Sequence, residues 1–364
     1  MKKMISEIIP TPPPHKRKRR IGTVLSFIVA LAVLTYIGNW FAAAFWLEGK
    51  IEAWAEEERA RGNEVTYGEL HFEGFPFEMS VLARDLSYRR QRGRLEETVT
   101  LGEMRAVAKP WTPLDYTFTA ETGVTARQRN LDTDTVVILE AAPRTQLETR
   151  FFGSGMLEHA RLTALGGLLT SERIGDGRGP REAARFAAAS LTLDQAEEVT
   201  DHTEAAAVVN LTATRVESPI LAAMGTKAQH AALAMEMTLR GALAGMDSED
   251  LALWRDSGGT LEIDRFTLAM DPVGLRLSAT LALDRLLRPE GAGTLEVKGF
   301  DEAIQDLVEA GHLKQDAAEI AKLVLGAFSR TSAGDGTRIV SLPVAAQDGR
   351  VSAGPFTLFR IPAL

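Results

Sequence analysis

Residues 261–283 read LEIDRFTLAMDPVGLRLSATLAL, and this stretch decides the fold class. Apolar and polar residues alternate on both sides of a turn at Asp271–Gly274. A period of two sends neighbouring side chains to opposite faces of a strand, so the stretch predicts a hairpin of two long strands. One face of this hairpin is apolar and the other is wetter.

Shorter alternations recur along the chain and are separated by turn residues. They lie at residues 65–72, 79–81, 133–139, 191–193, 209–213, 235–243, 295–297, 339–344 and 351–358. Helical spacing is clearest near 301–329 and weaker at 156–169 and 219–234. We therefore predict an α+β, β-rich fold. About a dozen mainly antiparallel strands would form one elongated, curved sheet or two similar half-sheets, with a few covering helices.

The N-terminal residues differ in charge from the rest of the chain. Residues 1–20 hold seven basic residues and one acidic residue, although the whole chain has a formal net charge of −8. The next 27 residues, 21–47, contain no charged side chain. A helix of that length reaches about 40 Å, which exceeds a hydrocarbon core of about 30 Å. The pattern predicts a disordered basic tail followed by a transmembrane helix.

Charged and aromatic residues orient this predicted helix. Basic residues favour the cytoplasmic side, and aromatic rings favour the membrane–water interface. The basic run is Lys16, Arg17, Lys18, Arg19 and Arg20, and the interface rings are Tyr36, Trp40 and Trp46. We predict a single-pass membrane protein with a cytoplasmic N-terminus and with everything after Leu47 across the membrane. The alternative is a cleaved signal peptide, whose apolar region of about 7–15 residues would be much shorter.

The helical pattern continues beyond the apolar segment. Apolar residues keep one helical face from residue 47 to residue 55, and charged residues fill the other positions. A stop follows at Gly62-Asn63. We predict an amphipathic stalk helix over residues 48–62. Its apolar stripe either packs on the chain's own domain, which we favour, or binds a protein partner.

A glycine-rich loop divides the remainder of the chain. This loop, at residues 175–180, is flexible by composition, and strand-like patterns occur on both sides of it. It separates a predicted first β-rich half at 63–174 from a second half at 181–364, which contains the helices near 301–329.

Residues that carry catalysis or bind metals form no recognisable motif. The chain has no cysteine, which excludes disulfides, thiolate ligands and cysteine nucleophiles. Its six histidines lack a metal-binding spacing. An acidic chain is poorly suited to binding nucleic acid. We expect a non-enzymatic protein without cofactor or metal. A hydrolase built from distant residues is the remaining alternative.

Two clusters of aromatic and proline residues stand out. One contains Phe72, Phe75 and Phe77 around Pro76, and the other surrounds Trp111. Proline cannot donate to a sheet ladder, so each cluster marks the end or the edge of a strand. Rings at such places either plug a core or line an apolar groove for acyl chains or a partner.

Several segments carry a resemblance to a known family. They are Trp54–Ala60, Gly68–Leu70, Gly74–Phe77, Lys109–Pro113, Trp254, Gly258–Leu261, Leu281–Asp284 and Gly349–Val351. With the N-terminal anchor, they resemble domain-of-unknown-function family 2125 of Gram-negative bacteria. The family has no established activity, so the resemblance implies no catalytic residues. Its anchored, β-rich layout is similar to that of AsmA-like envelope proteins, which are linked to lipid traffic and outer-membrane homeostasis.

These observations favour binding over catalysis. We expect an anchored periplasmic protein that binds or passes lipid-like ligands in a curved-sheet groove for envelope maintenance. Its partners would be the lipid bilayer, through one transmembrane helix, and a lipid ligand. The alternative is a scaffold that binds another envelope protein through the stalk helix or a sheet edge.

Overall fold

The computed structural model of the protein describes residues 17–219, 230–245, 247–309, 311, 313–331, 338–354 and 356–361. The predicted tail up to Lys16 lies outside the described residues. Four helices and 21 strands occur within these ranges. The helices are α1 Arg17–Ala60, α2 Ser248–Asp256, α3 Phe300–Glu309 and α4 Gln315–Ala327.

The strands follow in chain order. The first eleven are β1 Glu64–Thr66, β2 Leu70–Glu73, β3 Met79–Arg92, β4 Leu95–Lys109, β5 Thr112–Ala120, β6 Val124–Asn130, β7 Thr135–Ala141, β8 Thr145–Phe151, β9 Leu157–Ala164, β10 Gly167–Arg173 and β11 Arg181–Phe186. The other ten are β12 Ala188–Gln195, β13 Ala205–Val216, β14 Ala231–Arg240, β15 Thr260–Met270, β16 Val273–Leu283, β17 Pro289–Lys298, β18 Ser329–Thr331, β19 Arg338–Gln347, β20 Arg350–Ala353 and β21 Phe356–Arg360.

Helix α1 is a single element of 44 residues that contains the whole uncharged segment. The prediction that the helix continues beyond the apolar segment is confirmed. It ends because Gly62 adopts a left-handed φ of +88°. The Gly62 amide then donates to the Arg59 carbonyl, and the Asn63 amide donates to the Glu58 carbonyl, both at 3.0 Å. This is the Schellman arrangement, which satisfies carbonyls at a helix end.

All 21 strands belong to one antiparallel sheet, which confirms the predicted fold class. The halves of β4 pair with β5 and with β6. Three further long strands are each divided into two halves: β7 with β8, β9 with β10, and β11 with β12. In each case one half pairs with one half of the neighbouring long strand, and the other half pairs with the other. From β3 onward, consecutive long strands therefore lie side by side.

The interruptions of the long strands line up across the sheet, and we call them the break line. They fall at residues 121–123, 142–144, 165–166 and 187. Gly123 has a φ of +96°, and a Cβ there would lie 2.5 Å from the Ala141 carbonyl oxygen. Hydrogen bonds still join neighbouring strands within the break line, such as that from the Ala142 amide to the Gly166 carbonyl at 3.0 Å. Irregularities of this kind bend a strand and increase its twist without ending the sheet.

The predicted helices have mixed outcomes. The helices expected near 301–329 are confirmed as α3 and α4. The weaker helical prediction at 156–169 is wrong, because these residues form β9 and β10. Of the prediction at 219–234, residues 220–229 lie outside the described residues, and 231–234 begin β14. Pairing on both strand edges overrides the local helical preference of alanine and leucine here.

Candidate functional site

One apolar side chain from each of thirteen paired strands forms a continuous line across the sheet, which we call the apolar row. Each member is the registered partner of the next, so all of them point to the same face. The row is Phe72, Val81, Ala106, Phe118, Leu147, Leu162, Leu191, Leu211, Met235, Phe266, Leu277, Leu295 and Leu342. The apolar face of the sheet is thus continuous, although its strands come from the whole length of the chain.

The next position along these strands defines the opposite, polar face. From β4 onward its line of registered partners is polar at every strand except at Ala234, whereas on β3 the partner of Arg105 is the buried Leu82. This line is Arg105, Thr119, Gln146, Thr163, Ser190, Thr212, Ala234, Thr267, Arg276, Glu296 and Ser341. The sheet therefore has two chemically different faces, as the hairpin at residues 261–283 predicts.

A β-bulge in β15 keeps the apolar residues of this hairpin on one face of the sheet. Within β15 the large apolar residues are two apart except between Ile263 and Phe266, where the step is three. The pairing with β16 shifts register at this step. An extra residue in one strand restores the alternation, so Ile263 and Phe266 both stay on the apolar face.

Helices α3 and α4 cover the C-terminal end of the apolar row. Phe300 and Ile304 of α3 pack with Val340 and Leu342 of β19 in one buried cluster. Leu295 packs against the same cluster. Leu342 is only 6% exposed, so this end of the face is an ordinary hydrophobic core.

The middle of the apolar row is open. Leu162 and Leu191 are cross-strand partners on β9 and β12, and each is 39% exposed. Their neighbours Leu147 and Leu211 are only partly buried. Scattered exposed leucines are common in proteins, but a contiguous apolar patch is a candidate binding surface.

An apolar cavity of about 780 Å³ adjoins this open region under helix α2. Leu193, Val209, Leu261 and Leu281 form its floor on the sheet, and Trp254 of α2 contributes to its wall. This volume is within the range of about 300–1,000 Å³ that is usual for ligand pockets. The residues flanking the cavity are mainly apolar, which suits a hydrocarbon chain.

Two sets of hydrogen bonds hold the cavity wall. The Trp254 indole donates to the Arg240 carbonyl at 2.8 Å, which fastens α2 to β14. The Asp284 carboxylate accepts from the amides of Leu286 and Arg288 at 2.8 and 2.9 Å. Backbone donation by Arg288, assisted by its guanidinium, lowers the pKa of Asp284. The turn that follows β16 is therefore fixed while this carboxylate is charged.

Sequence reasoning missed α2 and with it the cavity. A usable signal was present, since Asp247 precedes Ser248 and two acidic residues at the start of the helix. The Asp247 side chain accepts from the amides of Glu249 and Asp250, as an N-cap residue does. Leu251 and Trp254 then follow with helical spacing.

The predicted aromatic residues have separate positions. Phe72 belongs to the apolar row, whereas Phe77 and Trp111 are 72% and 63% exposed beyond the ends of β2 and β4. Phe75 is also exposed. Of the predicted interface rings, Tyr36 and Trp40 contact the loop at residues 74–78, and Trp46 is exposed.

The stalk part of α1 packs on the chain's own domain, as we favoured. Ala55 is fully buried, and Val65 of β1 is nearly so. The Glu58 carboxylate accepts from the Asn63 amide group at 2.7 Å and from the Tyr88 hydroxyl at 3.0 Å. These contacts fasten the end of α1 to the beginning of the sheet.

Among the described residues, Asp115, Arg150, His159 and Asp194 line a pocket of about 580 Å³ on the polar face. In the part of the chain that the structure describes, no group of three His, Asp or Glu residues could hold a metal ion. His159 lies 2.6 Å from Asp194, and Arg150 lies 2.8 Å from Asp115, on the polar face. These are cross-strand contacts between polar side chains, of the kind that stabilise a sheet surface.

Comparisons with known proteins identify the family. The family described as "Uncharacterized protein conserved in bacteria (DUF2125)" matches residues 40–362. No curated protein and no solved structure matches the chain. The similarity to AsmA-like proteins therefore stays a prediction. Because the match spans the end of the apolar helix and nearly all of the sheet, the chain belongs to family DUF2125.

Proposed function

We propose that α1 anchors this protein in the bacterial inner membrane. The helix from Ser26 onward is long and apolar enough to cross a membrane. The basic residues before it favour the cytoplasm, so the sheet would lie in the periplasm. The many exposed apolar side chains along this part of α1 support the proposal, because they have no protein cover.

We further propose that the protein is not an enzyme, and that it binds or passes lipid-like ligands along the open part of the apolar row. The observation that carries this proposal is the half-exposed pair Leu162 and Leu191 in the middle of a thirteen-strand apolar line. Covering one such leucine with an acyl chain gains about 1 kcal/mol. Contacts of the acyl chain with several neighbouring residues of the row and with the cavity under α2 would add to this free energy of binding.

Photo-crosslinking in cells tests the lipid proposal. Benzoylphenylalanine replaces Leu191 in the full chain, and the irradiated protein is analysed by mass spectrometry. We expect phospholipid adducts at this position. The matched control places the same residue at Thr192, on the polar face of the same strand. Equal adduct yields at both positions, or none at position 191, would contradict the proposal.

A scaffold function is the second candidate, and the last strand favours it. Among the described strands, β21 pairs with β20, and its residues Leu358 and Phe359 are exposed. A sheet edge with exposed apolar side chains can accept a strand from a partner. Replacing Leu358 with lysine should then abolish co-purification of that partner while leaving the crosslinks at position 191 unchanged.

A further inference from the structure

The loop between β2 and β3 contacts α1 at Tyr36 and Trp40. The Tyr36 hydroxyl donates to the Pro76 carbonyl, and the Trp40 indole donates to the Glu78 carbonyl at 3.2 Å. The Phe75 ring meets the Trp40 ring edge-on, with centroids 5.5 Å apart. The loop is therefore attached to the side of the helix.

The position of these contacts along α1 sets their depth. Tyr36 and Trp40 follow Arg20 by 16 and 20 residues, which correspond to about 24 and 30 Å of helix. A hydrocarbon core is about 30 Å thick, so with Arg20 at one boundary both residues lie near the other. The attached loop, with Phe75, must lie at the same level.

A second exposed apolar turn lies at the same end of the sheet. Met79, at the start of β3, pairs with Ala108 near the end of β4, so the turn that contains Trp111 is adjacent to the loop at 74–78. Leu114 follows on β5 and is also exposed. Four exposed apolar side chains thus lie at the end of the sheet where the loop at 74–78 contacts α1. We call Phe75, Phe77, Trp111 and Leu114 the apolar rim.

We propose that the apolar rim inserts into the phospholipid bilayer next to α1, as a second membrane contact. This inference rests on the proposed anchor. Residues 74–77 carry no charge, and aromatic rings favour the membrane–water interface. The apolar row starts at Phe72, directly before the loop, so its first members would adjoin the lipid. The bilayer is then the source from which an acyl chain reaches the apolar face.

The twist of the sheet limits the proposed membrane contact to the first hairpins of the chain. The loop at residues 196–204 lies at the same sheet end but is rich in acidic residues. It is separated from β4 by four strand-to-strand steps. At about 20–25° per step, it points roughly 80–100° away from the rim. The acidic side chains of this loop are therefore kept away from an anionic membrane surface.

Site-specific fluorescence tests the insertion. The chain has no cysteine, so one introduced thiol carries one environment-sensitive NBD label. Full-length Phe77→Cys and Trp111→Cys proteins are reconstituted in vesicles of phosphatidylethanolamine and phosphatidylglycerol. We expect several-fold quenching by a doxyl-labelled phospholipid and little quenching by aqueous iodide. The control is Arg94→Cys, in the turn between β3 and β4 at the opposite end of these two strands. Its label should be quenched by iodide and little by the doxyl-labelled phospholipid.

A label within the helix separates this proposal from the anchor. Ile28→Cys should be quenched by the doxyl lipid whenever α1 crosses the bilayer. If position 28 lies in lipid while positions 77 and 111 respond like position 94, the rim proposal is wrong and the anchor stands. If position 28 is also accessible to iodide, both proposals are wrong.

Discussion

Leu191 and Leu342 lie on the same apolar row but have opposite surroundings. Both point to the same face of one sheet, and both pair with apolar neighbours on adjacent strands. Leu342 is buried beneath α3 and α4, whereas Leu191 has no comparable cover. The strands alone therefore do not decide whether this face is core or binding surface. The helices that cover it decide.

This difference separates stability from binding. At the C-terminal end, the apolar row contributes to the free energy of folding, because its side chains leave water when the helices pack. In the middle, the same kind of side chain still meets water and can gain free energy only when a ligand covers it. Substitutions along one row should thus have different effects at its two regions.

The largest expected effect is loss of stability at the covered end. Leu342→Ala should lower the free energy of unfolding by about 2–5 kcal/mol, because it leaves a cavity beneath α3. Leu191→Ala, the matched control on the same row, should cost about 1 kcal/mol or less. Denaturant unfolding of the two full-length variants gives the comparison. Similar losses at both positions would mean that the middle of the row is buried in solution.

A charge in the open region should weaken lipid binding more than folding. Leu191→Glu should reduce the affinity for an acyl ligand about tenfold, equivalent to about 1.4 kcal/mol, because a carboxylate replaces the apolar contact. Thr192→Glu puts the same charge on the polar face, opposite Arg161. Binding of a fluorescent fatty acid to the reconstituted proteins measures both. An unchanged affinity for the first variant would place the ligand elsewhere.

The smallest expected effect concerns pH and the cavity wall. The pKa of Asp284 is lowered in the folded state, so its charged form stabilises the fold. This stabilisation is complete at any pH above the pKa that Asp284 has in the unfolded chain. It should be lost as pH falls below about 4, through the folded pKa. Asp284→Asn should lower the melting temperature at pH 7. The difference in melting temperature between the wild type and the variant should shrink in acid. A difference that stays constant with pH would contradict the stabilising role assigned to the Asp284 carboxylate.

The fold class was predictable where apolar and polar residues alternate without interruption. In β16, arginine, serine and threonine alternate with leucine and alanine, and the period of two is clear. In β4 the sequence LEETVTLGEMRAVAK changes phase, because the apolar residues Leu101 and Met104 are three apart. Charged side chains of β4 pair with the preceding strand β3, as Glu97 does with Arg90 at 2.5 Å. We therefore predicted about a dozen strands from the sequence, whereas the described residues form 21.

The open apolar surface that we propose for binding could not be located from the sequence. The apolar row depends on the register of thirteen strands, and a shift of one residue would send a strand's leucines to the polar face. The openness near Leu191 depends on where α2, α3 and α4 lie, which is a tertiary property. The signals that did predict correctly were local, such as the uncharged helix and the helical spacing near 301–329.

The most direct test of the central claim compares the two faces at one point of β12. Because the chain lacks cysteine, Leu191→Cys and Thr192→Cys each carry a single NBD label in the full-length, reconstituted protein. Submicellar lysophosphatidylcholine is then added while the emission is recorded. We predict a saturable blue shift at position 191 and no change at position 192. Equal shifts at the two positions, or no shift at position 191, would contradict the account.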